Sequence, residues 1–151
     1  MPKRKKVFLD ASVLIAAAAS PGGGSSLVLE VCRVHNFYAS STTRKVLLEA
    51  QRNIRKKFSS DTLLNFYNEI ANLKSEIVNP ATQEELSQHN DIITTKDRHV
   101  VASAIKSNSK FLITLDRKHF QTEVIMQANL PVTIMTPKEF LDWVKEKYKN
   151  L

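Results

Sequence analysis

Aspartates follow two short apolar segments of the sequence, a placement that could build a metal site. Asp10 follows Val7-Phe8-Leu9, and Asp116 follows the segment 111–115. Both segments predict buried parallel strands, so the two carboxylates would lie at the same edge of one sheet. Carboxylates that converge away from water repel one another, and a hard divalent cation such as Mg²⁺ takes oxygen ligands. The alternative for either aspartate is a cap or a turn, and Asp10 could be the N-cap of a helix that begins at Ala11.

Asp97 is a third acid that could face this edge. It begins a predicted helix over residues 97–107 and precedes Val101 and Ala104 by four and seven residues. That spacing places Asp97 on the buried face, at the N-terminal end of the helix. The alternative is an ordinary acidic helix start, and Asp91 would replace Asp97 if the register differed.

Glu49 is the fourth acid, on a predicted helix over residues 42–57. It borders the apolar stripe of that helix. A position at the edge of a buried stripe suits a side chain that reaches a site beside the sheet. The alternative is an exposed ion pair with Lys45 or Arg52.

The segments that carry these acids predict alternating strands and helices. Predicted strands cover residues 7–9, 36–39, 76–78, 110–115 and 132–135. Predicted helices cover residues 11–19, 25–34, 42–57, 82–88 and 97–107, with two more beginning after Ser59 and after Thr136. This alternation predicts an α/β fold, a three-layer α/β/α sandwich with a central, mostly parallel sheet. Functional sites in such sheets lie beyond the carboxyl ends of the strands.

Composition narrows the class of protein. The 151 residues carry a formal net charge of +7 and one cysteine, Cys32. This length predicts a single domain over residues 1–151, with residues 1–6 as a basic tail. No apolar run approaches the ~18 residues of a membrane span, and a lone cysteine favours a reducing, cytoplasmic location. The positive charge favours a polyanionic partner.

Four segments of the chain, in order, resemble PIN domains. They are Val7 to Ile15, Val46 to Glu49, Lys96 to Ala104 and Leu112 to Asp116. The resemblance extends from residue 7 to about residue 120. It implies a PIN-like fold and a metal-dependent endoribonuclease, with RNA as substrate and Mg²⁺ or Mn²⁺ as cofactor. It also implies a VapC-like toxin with a cognate antitoxin, and a homodimer for which the last helix, with Trp143 and Tyr148, offers one surface.

The resemblance also assigns roles to residues by their position. The catalytic and metal-binding acids would be Asp10, Glu49, Asp97 and Asp116, with Ser12 and Thr114 as supporting polar residues. Basic residues that flank the acids would guide substrate phosphates: Lys96, Arg98, Arg117, Lys118 and His119. In such a site the cation lowers the pKa of the water that attacks the phosphodiester. The chain departs from the pattern at Ser12, where many members have Asn.

Two other functions fit parts of the sequence. A non-catalytic RNA-binding PIN-like domain would keep the basic surface, but the four acids argue against it. A receiver-type signalling domain also gathers acids at strand ends, but it needs a paired acid after the first strand, and Asp10 stands alone. The Gly22-Gly23-Gly24 run follows a predicted helix and lacks the spacing of a phosphate-binding loop.

Overall fold

The apolar strand segments form one parallel sheet in the computed structural model of the chain, which describes residues 4–89 and 95–150. The strands are β1 (Lys5–Leu9), β2 (Tyr38–Thr42), β3 (Glu76–Ile77), β4 (Phe111–Ile113) and β5 (Thr133–Met135). Their order in the sheet is β3-β2-β1-β4-β5, and every neighbouring pair is parallel. The prediction of an α/β fold with a mostly parallel sheet is therefore confirmed.

Helices connect the strands and cover the sheet. Within the described ranges they are α1 (Ala11–Ala19), α2 (Gly24–Val34), α3 (Arg44–Lys57), α4 (Ser60–Leu73), α5 (Gln83–Ser87), α6 (Thr95–Lys106), α7 (Arg117–Phe120), α8 (Glu123–Gln127) and α9 (Pro137–Tyr148). Helices α1 to α4 contact one another, and α5 contacts α6. Because parallel crossovers are right-handed, the two groups cover opposite faces of the sheet.

The order in which strands are added to the sheet reverses between β1 and β4, although the two strands are parallel. From β1 the chain proceeds to β2 and β3 on one side, and it then crosses to β4 and β5 on the other side. Such a switch point leaves a crevice beyond the carboxyl ends of the two central strands, where the loops that follow them separate. Asp10 and Asp116 follow these two strands.

The last three residues of β1 and all of β4 are apolar because helices cover both faces of the sheet there. Val7, Phe8 and Leu9 of β1 are fully buried, and so is most of β4. A strand buried on both faces needs a continuous apolar run rather than an alternating one. These strands therefore form a rigid support for the residues that follow them.

Side-chain caps begin several helices where the sequence predicts them. Ser59 accepts a hydrogen bond from Thr62 N at the start of α4. Thr136 and Glu139 form a capping box at the start of α9, with Pro137 in its first turn. Each cap satisfies backbone N–H groups that the first helical turn leaves without partners.

The N-terminal basic residues correct one prediction. Lys5 and Lys6 lie in β1 and pair with β2, rather than in a tail over residues 1–6. The Lys6 ammonium lies 3.0 Å from a carboxylate oxygen of Glu76 and donates to the carbonyl of Ser107. Strand pairing of the backbone and these contacts keep both lysines on the body of the protein.

Other differences concern the ends of elements. β2 begins at Tyr38, later than the predicted strand over 36–39, and β4 ends at Ile113, before the predicted end at residue 115. The short helices α7 and α8 were not predicted, since neither is long enough to show helical periodicity. No single helix of the described residues is long and apolar enough to cross a membrane, although α1 and α2 together meet that test as a pair bent by 104°.

The aromatic residues of α9, which the sequence offers as one surface for a homodimer, also make contacts within the chain. Trp143 packs edge-on against Phe111, with ring centroids 4.9 Å apart. Tyr148 stacks on Phe37 and accepts a hydrogen bond from the Tyr38 hydroxyl. Both side chains are partly buried against the core, so α9 uses its aromatic face within the chain.

Candidate functional site

The carboxyl ends of β1 and β4 bring together the residues that follow them. Leu9 is in register with Ile113, and Asp10 N donates to the Ile113 carbonyl at 3.1 Å. Thr114 is fully buried directly beyond β4. The crevice that the strand order creates at this edge therefore begins with Asp10 on one side and Thr114 on the other.

Two hydroxyl groups hold the Asp10 carboxylate. Oδ2 accepts hydrogen bonds from Ser12 Oγ at 2.9 Å and from Thr114 Oγ1 at 2.8 Å. Asp10 occupies the N-cap position of α1, but its side chain makes no capping hydrogen bond. Asp10 is therefore the N-cap of α1 by position, as the alternative predicted, but its carboxylate is held by the hydroxyl groups of Ser12 and Thr114.

The environment of Asp10 raises its pKa. Only 7% of the residue is exposed, and this burial is the main cause. The hydrogen bonds from Thr114 and Ser12 oppose the effect, and the negative charge of Asp97 adds to it. A buried carboxylate beside a second acid is disfavoured in its charged form unless a cation lies nearby.

Asp97, Asp116 and His119 form a compact group beside Asp10. Each offers a ligand atom, and these atoms lie within 4.8 Å of one another. Asp116 caps α7 by accepting from His119 N at 3.1 Å, and His119 Nδ1 lies 2.8 Å from its Oδ2. Thr114 Oγ1 accepts from Asp116 N at 3.0 Å, so one hydroxyl connects Asp116 with Asp10.

This donor set fits a divalent cation. Carboxylate oxygens are the ligands that Mg²⁺ and Mn²⁺ prefer, and Mg²⁺ in proteins is usually held by a few carboxylates and several waters. The residues that could hold such an ion are Asp10, Asp97 and Asp116. His119, predicted to guide substrate, contacts Asp116 and adds a nitrogen ligand to the group.

Glu49 lies on the wall of a cavity of about 1020 Å³. The cavity lies between α3, the segment that follows β3, and α6, where it is lined by His99 and Ser103. Burial and the nearby Lys45 lower the pKa of His99 to about 4, so its imidazole is neutral near pH 7. Glu49 is not among the side chains of the Asp97 group, but it lines the same cavity as His99, which lies two residues beyond Asp97 on α6.

The predicted basic guides are distributed around the acids. Arg117 and Lys118 are exposed on α7, and the Arg117 guanidinium donates to Gln121. Arg98 is half-buried on α6. The side chain of Lys96 and the alternative ligand Asp91 lie outside the described residues.

Three further basic residues line the cavity and were not predicted as substrate contacts. They are Arg44, Lys45 and Arg52 of α3. Their spacing along α3 places them around Glu49, and this helical grouping of charge is the pattern that could have identified them. The cavity therefore combines cations with an apolar wall that includes Leu48 and Ile77.

Solved structures of several proteins share this fold at low sequence identity. VapBC2 from Rickettsia felis, bound to a DNA fragment from its promoter, has a TM-score of 0.62 at 14% identity, over 87% of this chain and 98% of that chain. PAE2754 from Pyrobaculum aerophilum has a TM-score of 0.64 at 15% identity, over 94% and 96%. VapC20 from Mycobacterium tuberculosis, a toxin that cleaves the sarcin-ricin loop, has a TM-score of 0.50 at 14% identity, over 84% and 98%.

Sequence comparisons identify the family. A search of curated proteins finds no significant match. The family model of the PIN domain matches residues 6–118, which is most of the chain and includes all four acids and both supporting hydroxyl residues. The chain therefore belongs to the PIN domain family.

Proposed function

We propose that this protein is a metal-dependent endoribonuclease with its active site at the β1–β4 crevice. The observation that supports this function best is the group of Asp97, Asp116 and His119, whose ligand atoms lie within 4.8 Å of one another. The group lies beside buried Asp10, at the switch point where parallel α/β sheets bind ligands. The PIN domain family match and the fold shared with an RNA-cleaving toxin support the same function.

The acids would hold Mg²⁺ or Mn²⁺ from different sides. Asp10 would do so from the buried side, Asp97 from α6 and Asp116 from the start of α7, with Glu49 extending the negative pocket. The bound cation supplies Lewis acidity, which makes water a better nucleophile and offsets charge on the phosphate. Ser12 and Thr114 orient the Asp10 carboxylate, and Thr114 also fixes the backbone of Asp116.

Basic residues around the acids would bind the RNA backbone. Arg117 and Lys118 are exposed at one side of the acids, and Arg98 lies on α6. The cavity beside Glu49 adds the cations of α3 on the other side. Phosphate contacts of this kind position a strand without reading its sequence. We infer that the strand crosses the acids from the α7 side towards the cavity.

The shared fold with VapBC2 and VapC20 supports a place in a toxin–antitoxin pair. On this proposal a cognate antitoxin protein blocks the crevice, and the toxin acts in the cytoplasm. The single cysteine is buried in α2 and unpaired, as suits a reducing compartment.

Cleavage of a mixed set of labelled RNAs tests the proposed activity. The purified protein would be assayed with Mg²⁺, with Mn²⁺ and with EDTA, beside the variants Asp10→Asn and Asp116→Asn. The matched control is Asp142→Asn, because Asp142 is an exposed aspartate of α9 that pairs with Lys138. We expect cleavage that requires a divalent cation, is lost in both site variants and is kept in the control.

Two outcomes would contradict the proposal. Full cleavage by Asp10→Asn would remove the metal site from the mechanism. RNA binding without cleavage under any metal, across the whole RNA set, would favour a non-catalytic RNA-binding domain instead.

A further inference from the structure

Three lysine side chains surround the single tryptophan at the edge of the sheet opposite the acids. The ammonium nitrogens of Lys147, Lys5 and Lys110 lie 4.9, 5.1 and 5.5 Å from the ring centroid of Trp143. Lys5 begins β1, Lys110 directly precedes β4, and Lys147 lies on α9. We call these four residues the lysine–tryptophan cluster.

The positive charges of this cluster have no acidic partner. Among residues 4–89 and 95–150, no carboxylate oxygen lies within 4.0 Å of the three ammonium groups, whereas other lysines of the protein do form such pairs. Contact with Lys147, burial and the charge of Lys110 lower the pKa of Lys5 to about 8. Cation–π contacts to Trp143 offset part of the repulsion between the three ammonium groups. A bound anion would offset this repulsion more completely.

We propose that the lysine–tryptophan cluster binds the phosphate backbone of RNA at a second site, remote from the acids. Three ammonium groups at one point suit closely spaced phosphates, which release condensed counterions when they bind lysines. The lysines lie over the Trp143 ring, so they occupy the surface on which a base would stack. The site therefore contacts phosphates and adds affinity that does not depend on sequence.

The position of the cluster defines which RNAs can use it. The same two strands begin at the cluster and end at Asp10 and Thr114, so β1 separates the two sites by about 17 Å at ~3.3 Å per residue. A short oligonucleotide at the acids does not reach the cluster, whereas a long or folded RNA contacts both. In this respect the inference rests on the proposed function, because it assigns the cluster to the same substrate.

Binding is tested separately from cleavage with a DNA strand. Trp143 is the only tryptophan of the chain, so its fluorescence reports on the cluster directly. An oligothymidylate strand supplies the phosphate backbone and is not a substrate for a ribonuclease. We expect a saturable change in Trp143 fluorescence and an affinity that falls steeply with salt. This result is independent of whether the protein cleaves RNA.

A matched pair of variants tests whether binding depends on the cluster lysines or only on the net charge of the protein. The cluster variant carries Lys5→Gln, Lys110→Gln and Lys147→Gln. The control variant carries Lys106→Gln, Lys138→Gln and Lys149→Gln, which remove the same charge from lysines that already pair with carboxylates. We expect the cluster variant alone to bind oligothymidylate more weakly, and the magnitude of the slope of its log affinity against log salt to be lower by about 2.

Glutamine keeps most of the aliphatic stem that covers Trp143, so the cluster variant should unfold at the same temperature as the wild type or higher. If the triple variant does not fold, Lys110→Gln and Lys147→Gln, both at exposed positions, are measured singly and each should weaken binding. With long RNA, the cluster variant should raise KM and leave kcat unchanged.

Three results would overturn the inference. The first is unchanged Trp143 fluorescence on addition of oligothymidylate. The second is an equal loss of affinity in the cluster and control variants, which would show only a response to net charge. The third is an equal response to inorganic phosphate at the same phosphate concentration, which would show a small-anion site rather than a nucleic-acid site.

Discussion

At the scale of single residues, the candidate site depends on Asp10, which is buried and still surrounded by donors suited to its charged form. Ser12 and Thr114 donate to its Oδ2, although burial and the charge of Asp97 raise its pKa. Hydrogen bonds from hydroxyl groups reduce the free-energy cost of burying a charged carboxylate but do not abolish that cost. The buried carboxylate therefore suits cation binding but lowers the stability of the folded protein, a trade-off that is common at functional sites.

Asp10→Asn should therefore keep or raise the stability of the protein while it abolishes cleavage. The asparagine Oδ1 can accept the same two hydroxyl hydrogen bonds and carries no charge to bury. Thermal unfolding in EDTA measures this, and we expect a midpoint equal to or above that of the wild type. A clear fall in the midpoint would mean that the charged carboxylate stabilises the fold, which would contradict this interpretation of Asp10.

Thr114→Val should affect both stability and metal binding. The substitution keeps the shape of the side chain but removes the hydroxyl that donates to Asp10 and accepts from Asp116 N. Loss of buried hydrogen bonds should cost about 1–3 kcal/mol, and loss of an orienting group should weaken Mn²⁺ binding by about 10–100-fold.

Calorimetric titration with Mn²⁺ and denaturant unfolding measure these two effects. Thr133→Val, at an exposed threonine of β5, is the matched control and should change neither quantity much. Wild-type Mn²⁺ affinity in Thr114→Val would show that Thr114 does not orient the metal ligands.

At the scale of elements, the helices that have caps and the strands that are buried can be predicted from the sequence. The Thr136 and Glu139 capping box and the Ser59 cap are found where they were predicted. The start of β1 was missed because lysines at positions 5 and 6 suggest a solvated tail, whereas strand pairing with β2 decides their structure. Pairing of this kind depends on distant residues, which local patterns do not show.

The candidate site, too, could be predicted only in part from the sequence. The meeting of Asp10 with Asp116 follows from strand ends at one edge of a parallel sheet, and the structure brings Asp97 to the same place. The contact of His119 with Asp116 depends on α7, a helix of four residues that has no periodic pattern. The cavity beside Glu49 depends on how α3 and α6 pack, so its basic lining could be recognised only in three dimensions.

Thr136→Ala should destabilise the protein by about 1 kcal/mol, the usual contribution of an N-cap side chain. The Thr136 hydroxyl accepts from Glu139 N, and the Glu139 carboxylate accepts from Thr136 N. For a protein of this size such a loss lowers the unfolding midpoint by roughly 2–4 °C. Thermal unfolding followed by circular dichroism measures this. A midpoint equal to that of the wild type would show that α9 does not need its cap.

At the scale of the whole molecule, the sheet separates two charged regions. The carboxyl edge carries the acids, and the amino edge carries the lysine–tryptophan cluster. A polyanion that contacts both must follow the surface from one edge to the other. Part of the net charge of +7 is therefore concentrated at the lysine–tryptophan cluster rather than spread evenly over the surface.

The homodimer also belongs to this scale and stays a prediction. Because the aromatic side chains of α9 pack within the chain and lysines surround Trp143, a dimer would use another surface. Exposed apolar side chains near α8, Leu115, Val124 and Met126, offer such a surface. Light scattering should give the mass of two chains, and Val124→Asp with Met126→Asp should return the mass of one. A monomer at high concentration would contradict the prediction.

Metal dependence is tested most directly when metal binding and RNA cleavage are measured in the same samples. Mn²⁺ is titrated into the protein, free Mn²⁺ is followed by electron paramagnetic resonance, and the rate of RNA cleavage is recorded at each point. We expect bound Mn²⁺ and cleavage to rise together in the wild type and both to be lost in Asp10→Asn. Cleavage that begins before Mn²⁺ binds, or that persists in Asp10→Asn, would contradict a metal-dependent nuclease at this site.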